Sequence, residues 1–128
     1  MRALVRTVDG VFEVDLDEEE VLGLTDAEVE PEPVETGLPL VVSAARNGSA
    51  VMALVDRRPP LAISNDAGRT WREAGGGLPA GRAVAIADDN PDYAVYAARN
   101  RLYLSEDGGR FWRALAPELP EIEAVLVR

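Results

Sequence analysis

An all-β fold of three four-stranded propeller blades is predicted by two observations. One is an internal repeat of about 40 residues, the length of a blade. The other is a series of short β-forming runs joined by tight turns. The repeat is clearest in two segments, Ser64-Asn65-Asp66-Ala67-Gly68-Arg69-Thr70-Trp71-Arg72 and Ser105-Glu106-Asp107-Gly108-Gly109-Arg110-Phe111-Trp112-Arg113, which lie 41 residues apart. The same spacing relates Leu78-Pro79 to Leu119-Pro120, Arg58 to Arg99 and Leu61 to Leu102.

The third blade, residues 82–115, shows all four strands. Arg82–Ala87 is the inner strand, and its run Ala83-Val84-Ala85-Ile86-Ala87 is small and apolar, as suits a crowded centre. Tyr93–Ala98 and Leu102–Ser105 flank the turn Arg99-Asn100-Arg101 and pair as a hairpin. Phe111–Leu115 is the outer strand. The second blade, residues 40–74, follows the same plan. The first blade is split between the ends of the chain. Ala3–Thr7 aligns with Ala94–Ala98 at a spacing of 91, Asp9-Gly10 becomes the hairpin turn, and Val11-Phe12 matches Leu102-Tyr103. Its inner strand is missing from this end and is found at Glu123–Val127, which aligns with Arg82–Ile86 at the repeat spacing of 41. The first blade is therefore 2–24 plus 122–128, and the chain is permuted by one strand. Between Leu24 and Leu38 there is an insertion of ten residues relative to the repeat, with its acidic part at 25–36.

The two nine-residue segments resemble the Asp-box of bacterial neuraminidases and related BNR (sialidase-type) propellers. The stretch Ala87-Asp88-Asp89-Asn90-Pro91-Asp92-Tyr93-Ala94-Val95-Tyr96-Ala97 is similar to the segment that runs from the first strand into the second in the same repeats. The resemblance implies a propeller fold and a structural role for Ser64, Asp66, Gly68, Trp71, Ser105, Asp107, Gly109 and Trp112. Each segment is the turn between the third and fourth strands. The aspartates can accept backbone N–H bonds across it, and the glycines can take φ > 0 without steric cost. Each tryptophan is expected to begin the fourth strand and to cost about 3–5 kcal/mol on truncation where buried.

Composition limits the chemistry. The chain is 47% hydrophobic and 28% charged, within the range of globular domains. It has no cysteine and no histidine, which excludes disulfides, thiolate or imidazole catalysis and zinc sites built on Cys or His. The net charge of −10 disfavours nucleic acid as a partner. All 13 basic residues are arginine. No cofactor or metal is expected. The acidic stretch lacks the Asp-x-Asp-x-Asp-Gly order of a calcium loop. No apolar run reaches membrane-spanning length, and Asp9-Gly10 interrupts any signal segment, so no membrane association and a cytoplasmic location are expected.

Catalysis is the lesser reading. The family's arginine triad and Tyr–Glu pair have no counterparts that can be assigned here residue by residue, and Tyr96 and Tyr103 fall on strands as packing residues. No acidic pair is singled out by spacing as a glycosidase would require. The favoured function is a binding or scaffold module that presents loops to a protein or an anionic small ligand. The alternative is a carbohydrate-binding or glycoside-hydrolase-related protein. Arg57, Arg58, Arg99 and Arg101, at the turns between second and third strands, are the candidate ligand-binding residues. Since closed propellers typically have 4–8 blades, three blades suggest half of a six-bladed ring. A homodimer sealed through the C-terminal strand 122–128 is the favoured assembly, with a nine-bladed homotrimer or a compact monomer as the alternatives.

Overall fold

The computed structural model describes residues 1–128 and consists of strands joined by turns and coil. In chain order the strands are β1 (Arg2–Thr7), β2 (Gly10–Asp15), β3 (Glu20–Thr25), β4 (Val41–Asn47), β5 (Ala50–Val55), β6 (Leu61–Ser64), β7 (Arg72–Ala74), β8 (Gly81–Ala87), β9 (Asn90–Ala98), β10 (Arg101–Ser105), β11 (Arg113–Glu118) and β12 (Ile122–Val127). They form three four-stranded sheets ordered β12-β1-β2-β3, β4-β5-β6-β7 and β8-β9-β10-β11. All pairings are antiparallel. We call these blades 1, 2 and 3 in that order.

The permutation is visible in the pairing of the two ends. β12 lies antiparallel to β1, with Ala3 opposite Val127 and Val5 opposite Val125. Arg2 and Arg128 extend the ladder by exchanging two backbone bonds of 3.1 and 2.8 Å. The C-terminal strand thus completes the first blade of its own chain. A role for it between chains would require exchange of the strand, because its ladder partner is already present in cis.

Blade 3 is the middle of the arc. Its inner strand β8 packs against both β4 and β12. The alternation of side chains along a strand sends Ala83, Ala85 and Ala87 to one side and Val84 and Ile86 to the other. The alanines join Ala3, Val5, Val14, Leu16, Val125 and Val127 in the core shared with blade 1. The branched residues join Met52, Leu54, Leu61 and Ile63 in the core shared with blade 2. The 83–87 run is apolar throughout because both faces are covered, not simply because it is near a centre. Ser43 Oγ accepts the amide of Val84 at 3.2 Å, and Asn47 Nδ2 donates to the carbonyls of Ala87 and Asp88 at 2.8 and 3.1 Å, tying β4 to β8.

The outer strands begin later than the repeat suggests. β7 starts at Arg72 and β11 at Arg113, so Trp71 and Trp112 precede them. Both rings are half-buried. Truncating either should cost less than a fully buried tryptophan would, because part of the ring already contacts water.

The two end faces are covered from within the chain. On blade 1 the face away from blade 3 carries Arg2, Arg6 and Glu13, at positions where blade 3 has Tyr93, Ala97 and Leu104. Arg2 pairs with Glu13 at 3.2 Å. The apolar remainder of this face, Leu4 and Ala124, is covered by Val29 and Ala27 of the insertion. On blade 2 the outward residues Ala53, Val55 and Ala62 are covered by Trp71, Leu38 and Val41. A polar outer face on a terminal repeat is the usual way a repeat array stops growing.

Two outcomes test this arrangement. Ile122 is fully buried in the core between blades 1 and 3. Ile122→Ala should therefore lower unfolding free energy by about 2–5 kcal/mol in urea denaturation. Because both end faces are covered in cis, sedimentation equilibrium should return a single chain of 13.8 kDa at micromolar concentration. A stable species of twice that mass would show that the caps are displaced.

Candidate functional site

The connection from β3 to β4, residues 26–40, has a task the other blade connections lack. Residues 75–80 and 119–121 join blades that are already neighbours. Residues 26–40 must carry the chain from blade 1, at one end of the arc, to blade 2, at the other. This segment crosses the inner strands as a strap. Arg6 anchors its start, with Nη1 donating to the Val29 carbonyl at 2.8 Å and Nε lying 3.3 Å from Glu123. Leu38, packed on blade 2, anchors its end.

Beneath the strap is a cleft of about 780 Å³. Its floor is the meeting of the three inner strands, including Ala44, Val84, Ile86 and Val125. Its rim carries Glu30, Glu32, Glu35 and Asp88, set against Arg46 and Arg128. Arg46 Nε is already engaged with the Gly48 carbonyl at 2.8 Å. The arrangement is an apolar floor with an excess of negative charge at its edge, and no aromatic ring lines it. A cleft of this size accommodates a small ligand or a few residues of peptide.

The arginines singled out by the sequence are placed elsewhere. Arg99 lies 3.4 Å from Glu121, which also binds Arg82 at 3.1 Å, and Arg101 lies 3.0 Å from Glu118. Arg58 donates to the Leu78 carbonyl at 2.7 Å. Arg57 is exposed beside it. Arg99 and Arg101 are spent on carboxylates of β11 and the connection that follows it, and Arg58 secures the connection after β7. None of the four lines the cleft beneath the strap. The residues that do were visible only as a charge run and a small apolar strand.

The two repeated turns have nearly the same geometry. Ser64 Oγ accepts the Gly68 amide at 2.8 Å and donates to Asp66 Oδ1 at 2.7 Å. Asp66 accepts the Thr70 amide at 2.9 Å and its hydroxyl at 2.6 Å. In blade 3, Ser105 Oγ accepts Gly109 at 2.9 Å and donates to Asp107 at 2.9 Å, and Asp107 accepts the amides of Arg110 and Phe111 at 3.1 and 3.0 Å. Gly68 and Gly109 have φ of 89° and 91°. Their surroundings differ. A Cβ on Gly109 would lie 2.5 Å from Ile63 Cδ1 of blade 2, whereas one on Gly68 would meet only its own Trp71 at 3.4 Å. The blade 3 turn is therefore also an inter-blade contact, strengthened by Arg72 donating to the Gly108 carbonyl at 3.1 Å. In the degenerate turn of blade 1, Asp15 takes over by accepting the amides of Asp17 and Glu18, both at 3.0 Å. Glu19 reaches blade 3 there, at 3.0 Å from both Arg113 and the Ala116 amide.

Tyr96 is a packing residue. It is fully buried between blades 2 and 3, meets Tyr103 and Trp112 edge-on at centroid distances of 6.2 and 6.0 Å, and donates to the Pro79 carbonyl at 2.5 Å. Burial pushes its phenol up to about 12, far from the range of a nucleophile at neutral pH.

Asp66 gives this site's pH dependence. The Thr70 hydroxyl and amide, with the Ser64 hydroxyl, hold its carboxyl down at about 2, below the ordinary 3.8. The folded value is the lower one, so the carboxylate stabilises the turn above the unfolded value, and that contribution is lost as pH falls towards about 2. In urea denaturation, the stability gap between the native chain and Asp66→Asn should stay constant above about pH 5 and shrink between about pH 4 and about pH 2. A gap that persists unchanged at the acid end would rule out the ionised carboxylate as its source.

No protein-family model matches the chain, and no curated protein matches it. Among solved structures it is similar to YCF48 bound to D1 peptide, with 21% identity and a TM-score of 0.53 over 64% of this chain and 27% of that one. It is also similar to the GH74 enzyme of Niastella koreensis, with 19% identity and a TM-score of 0.54 over 93% of this chain and 18% of that one. The chain thus spans well under a third of the length of either. Both are β-propeller proteins, and this chain shares their fold as an all-β set of three four-stranded blades.

Proposed function

We propose that this chain is a binding or scaffold module whose ligand lies in the cleft beneath the strap, and that the ligand is cationic. One observation carries the reading: the cleft of about 780 Å³ combines an apolar floor with Glu30, Glu32, Glu35 and Asp88 at its rim. An anionic ligand at the turn arginines is less well supported, because Arg58, Arg99 and Arg101 already have partners. The likeness in fold to YCF48 bound to D1 peptide agrees with a peptide-receiving role. We read the two repeated turns as Asp-boxes of the BNR class, structural in both blades. We further propose that the functional unit is a single chain, a reading supported by the packing of Ala27 and Val29 on one flank and of Leu38, Val41 and Trp71 on the other.

A carbohydrate-active function would call for a stacking ring beside paired carboxylates, and the cleft lining contains no aromatic residue.

The test is binding of a labelled Arg-Val-Arg amide tripeptide, followed by fluorescence anisotropy at low ionic strength. Binding should weaken at least about tenfold in the triple variant Glu30→Gln, Glu32→Gln, Glu35→Gln, and should also weaken with added salt as the rim charges are screened. A Glu-Val-Glu peptide should not bind. Equal affinity for the two peptides, or turnover of aryl glycosides by the native chain, would overturn the reading.

A further inference from the structure

The outer edges of the three blades are not alike. An edge strand presents unpaired N–H and C=O groups, and proteins ordinarily protect such edges with shortness, charge or proline. The edge of blade 2, β7, is only three residues long and reads Arg-Glu-Ala. The edge of blade 3, β11, carries Arg113, Pro117 and Glu118. The edge of blade 1, β3, is six residues long, reads Glu-Val-Leu-Gly-Leu-Thr, and contains no Lys, Arg or Pro. Leu22 and Leu24 on it are 42% and 68% exposed. Its protection is limited to one acidic residue, Glu20, at its start and a bulge against Glu13 and Val14, and the ladder with β2 nevertheless continues to Thr25. Apart from that ladder, the backbone groups of residues 20–25 have no hydrogen-bond partner in the fold.

We infer that β3 is an interaction edge that takes an extended peptide segment of another protein as an added strand, with an apolar centre and basic ends. The backbone of such a segment would continue the blade 1 sheet, and its apolar side chains would cover Leu22 and Leu24. The charge at each end of the strand selects the partner. Glu18 and Glu20 flank its start and Asp26 and Glu28 follow its end, all four exposed. Lysine or arginine at both ends of the incoming segment meets these carboxylates. A second copy of this chain is the poorer occupant. Antiparallel pairing of β3 with its copy would bring the Glu18–Glu20 end of one chain onto the Asp26–Glu28 end of the other, opposing like charges at both ends of the added ladder. This inference stands apart from the cleft reading, which concerns the inner strands.

The experiment titrates the native chain with a synthetic peptide that has alternating Val and Thr between Arg-Lys ends, and reads hydrogen exchange by mass spectrometry. Slowed exchange confined to residues 20–25 is expected. The same peptide N-methylated at alternate residues keeps its charge but cannot form the ladder, and should bind at least tenfold more weakly. The double variant Leu22→Lys, Leu24→Lys should also bind at least tenfold more weakly, whereas Glu30→Gln, Glu32→Gln, Glu35→Gln should retain native affinity for this peptide, which separates the edge from the cleft. The inference is overturned if the N-methylated peptide binds as tightly as the parent. Protection mapping away from β3, or self-association of the native chain through β3 that excludes the peptide, would equally overturn it.

Discussion

The antiparallel pairing of β12 with β1 is the constraint from which the rest of the architecture follows. Because the last strand completes the first blade, blade 1 must sit beside blade 3. Blade 3 is then the middle of the arc, with blade 2 on its other flank. The connection from β3 to β4 cannot join neighbours and has to cross the whole arc. That crossing produces the strap, and the strap forms one wall of the cleft. A ten-residue insertion that looks like decoration in the sequence is therefore a requirement of the topology, given where the chain closes.

The contrast between middle and end blades shows how burial decides residue choice. Blade 3 is apolar on both faces because a blade lies against each, and its inner strand alternates alanine with branched residues to fit two different neighbours. Blade 1 has the same strand pattern on one face only. Its other face replaces the equivalents of Tyr93, Ala97 and Leu104 with Arg2, Arg6 and Glu13. Those charges would be costly against another apolar blade and cost little where water reaches them. Val29 and Ala27 pack on the apolar residues that remain, Leu4 and Ala124 among them. The same logic makes Gly109 a tight inter-blade contact while the equivalent Gly68 is open, since no blade precedes blade 2.

The arginines illustrate how far turn chemistry can be read without tertiary context. Their position at the hairpin turns is a matter of strand spacing and was legible. Their engagement is not, because Glu118 and Glu121 lie on the far side of the same blade in sequence and reach Arg101 and Arg99 only once β10 and β11 pair and the chain turns towards β12. The acidic stretch shows the converse. Its composition suggests a solvated loop, and most of its carboxylates are solvated, yet Ala27, Val29 and Leu38 within and beside it are anchors. A pattern of single apolar residues among acids and prolines carries no periodicity from which such anchoring could be inferred.

The features legible in the residues alone were local and periodic: the blade repeat, the strand order within a blade, the split of blade 1 between the two ends, and the hydrogen-bonding turn built on Ser64, Asp66 and Gly68. These follow from spacing, strand alternation and turn chemistry, each of which acts over a few residues or repeats at a fixed interval. Which faces are covered, where the strap runs, and that the cleft carries carboxylates while Arg58, Arg99 and Arg101 are already engaged emerge only from the packing of the blades. Those outcomes depend on which blades become neighbours, and that depends on a single long-range contact, β12 against β1, whose consequences for distant residues such as Val29 and Gly109 have no local signature.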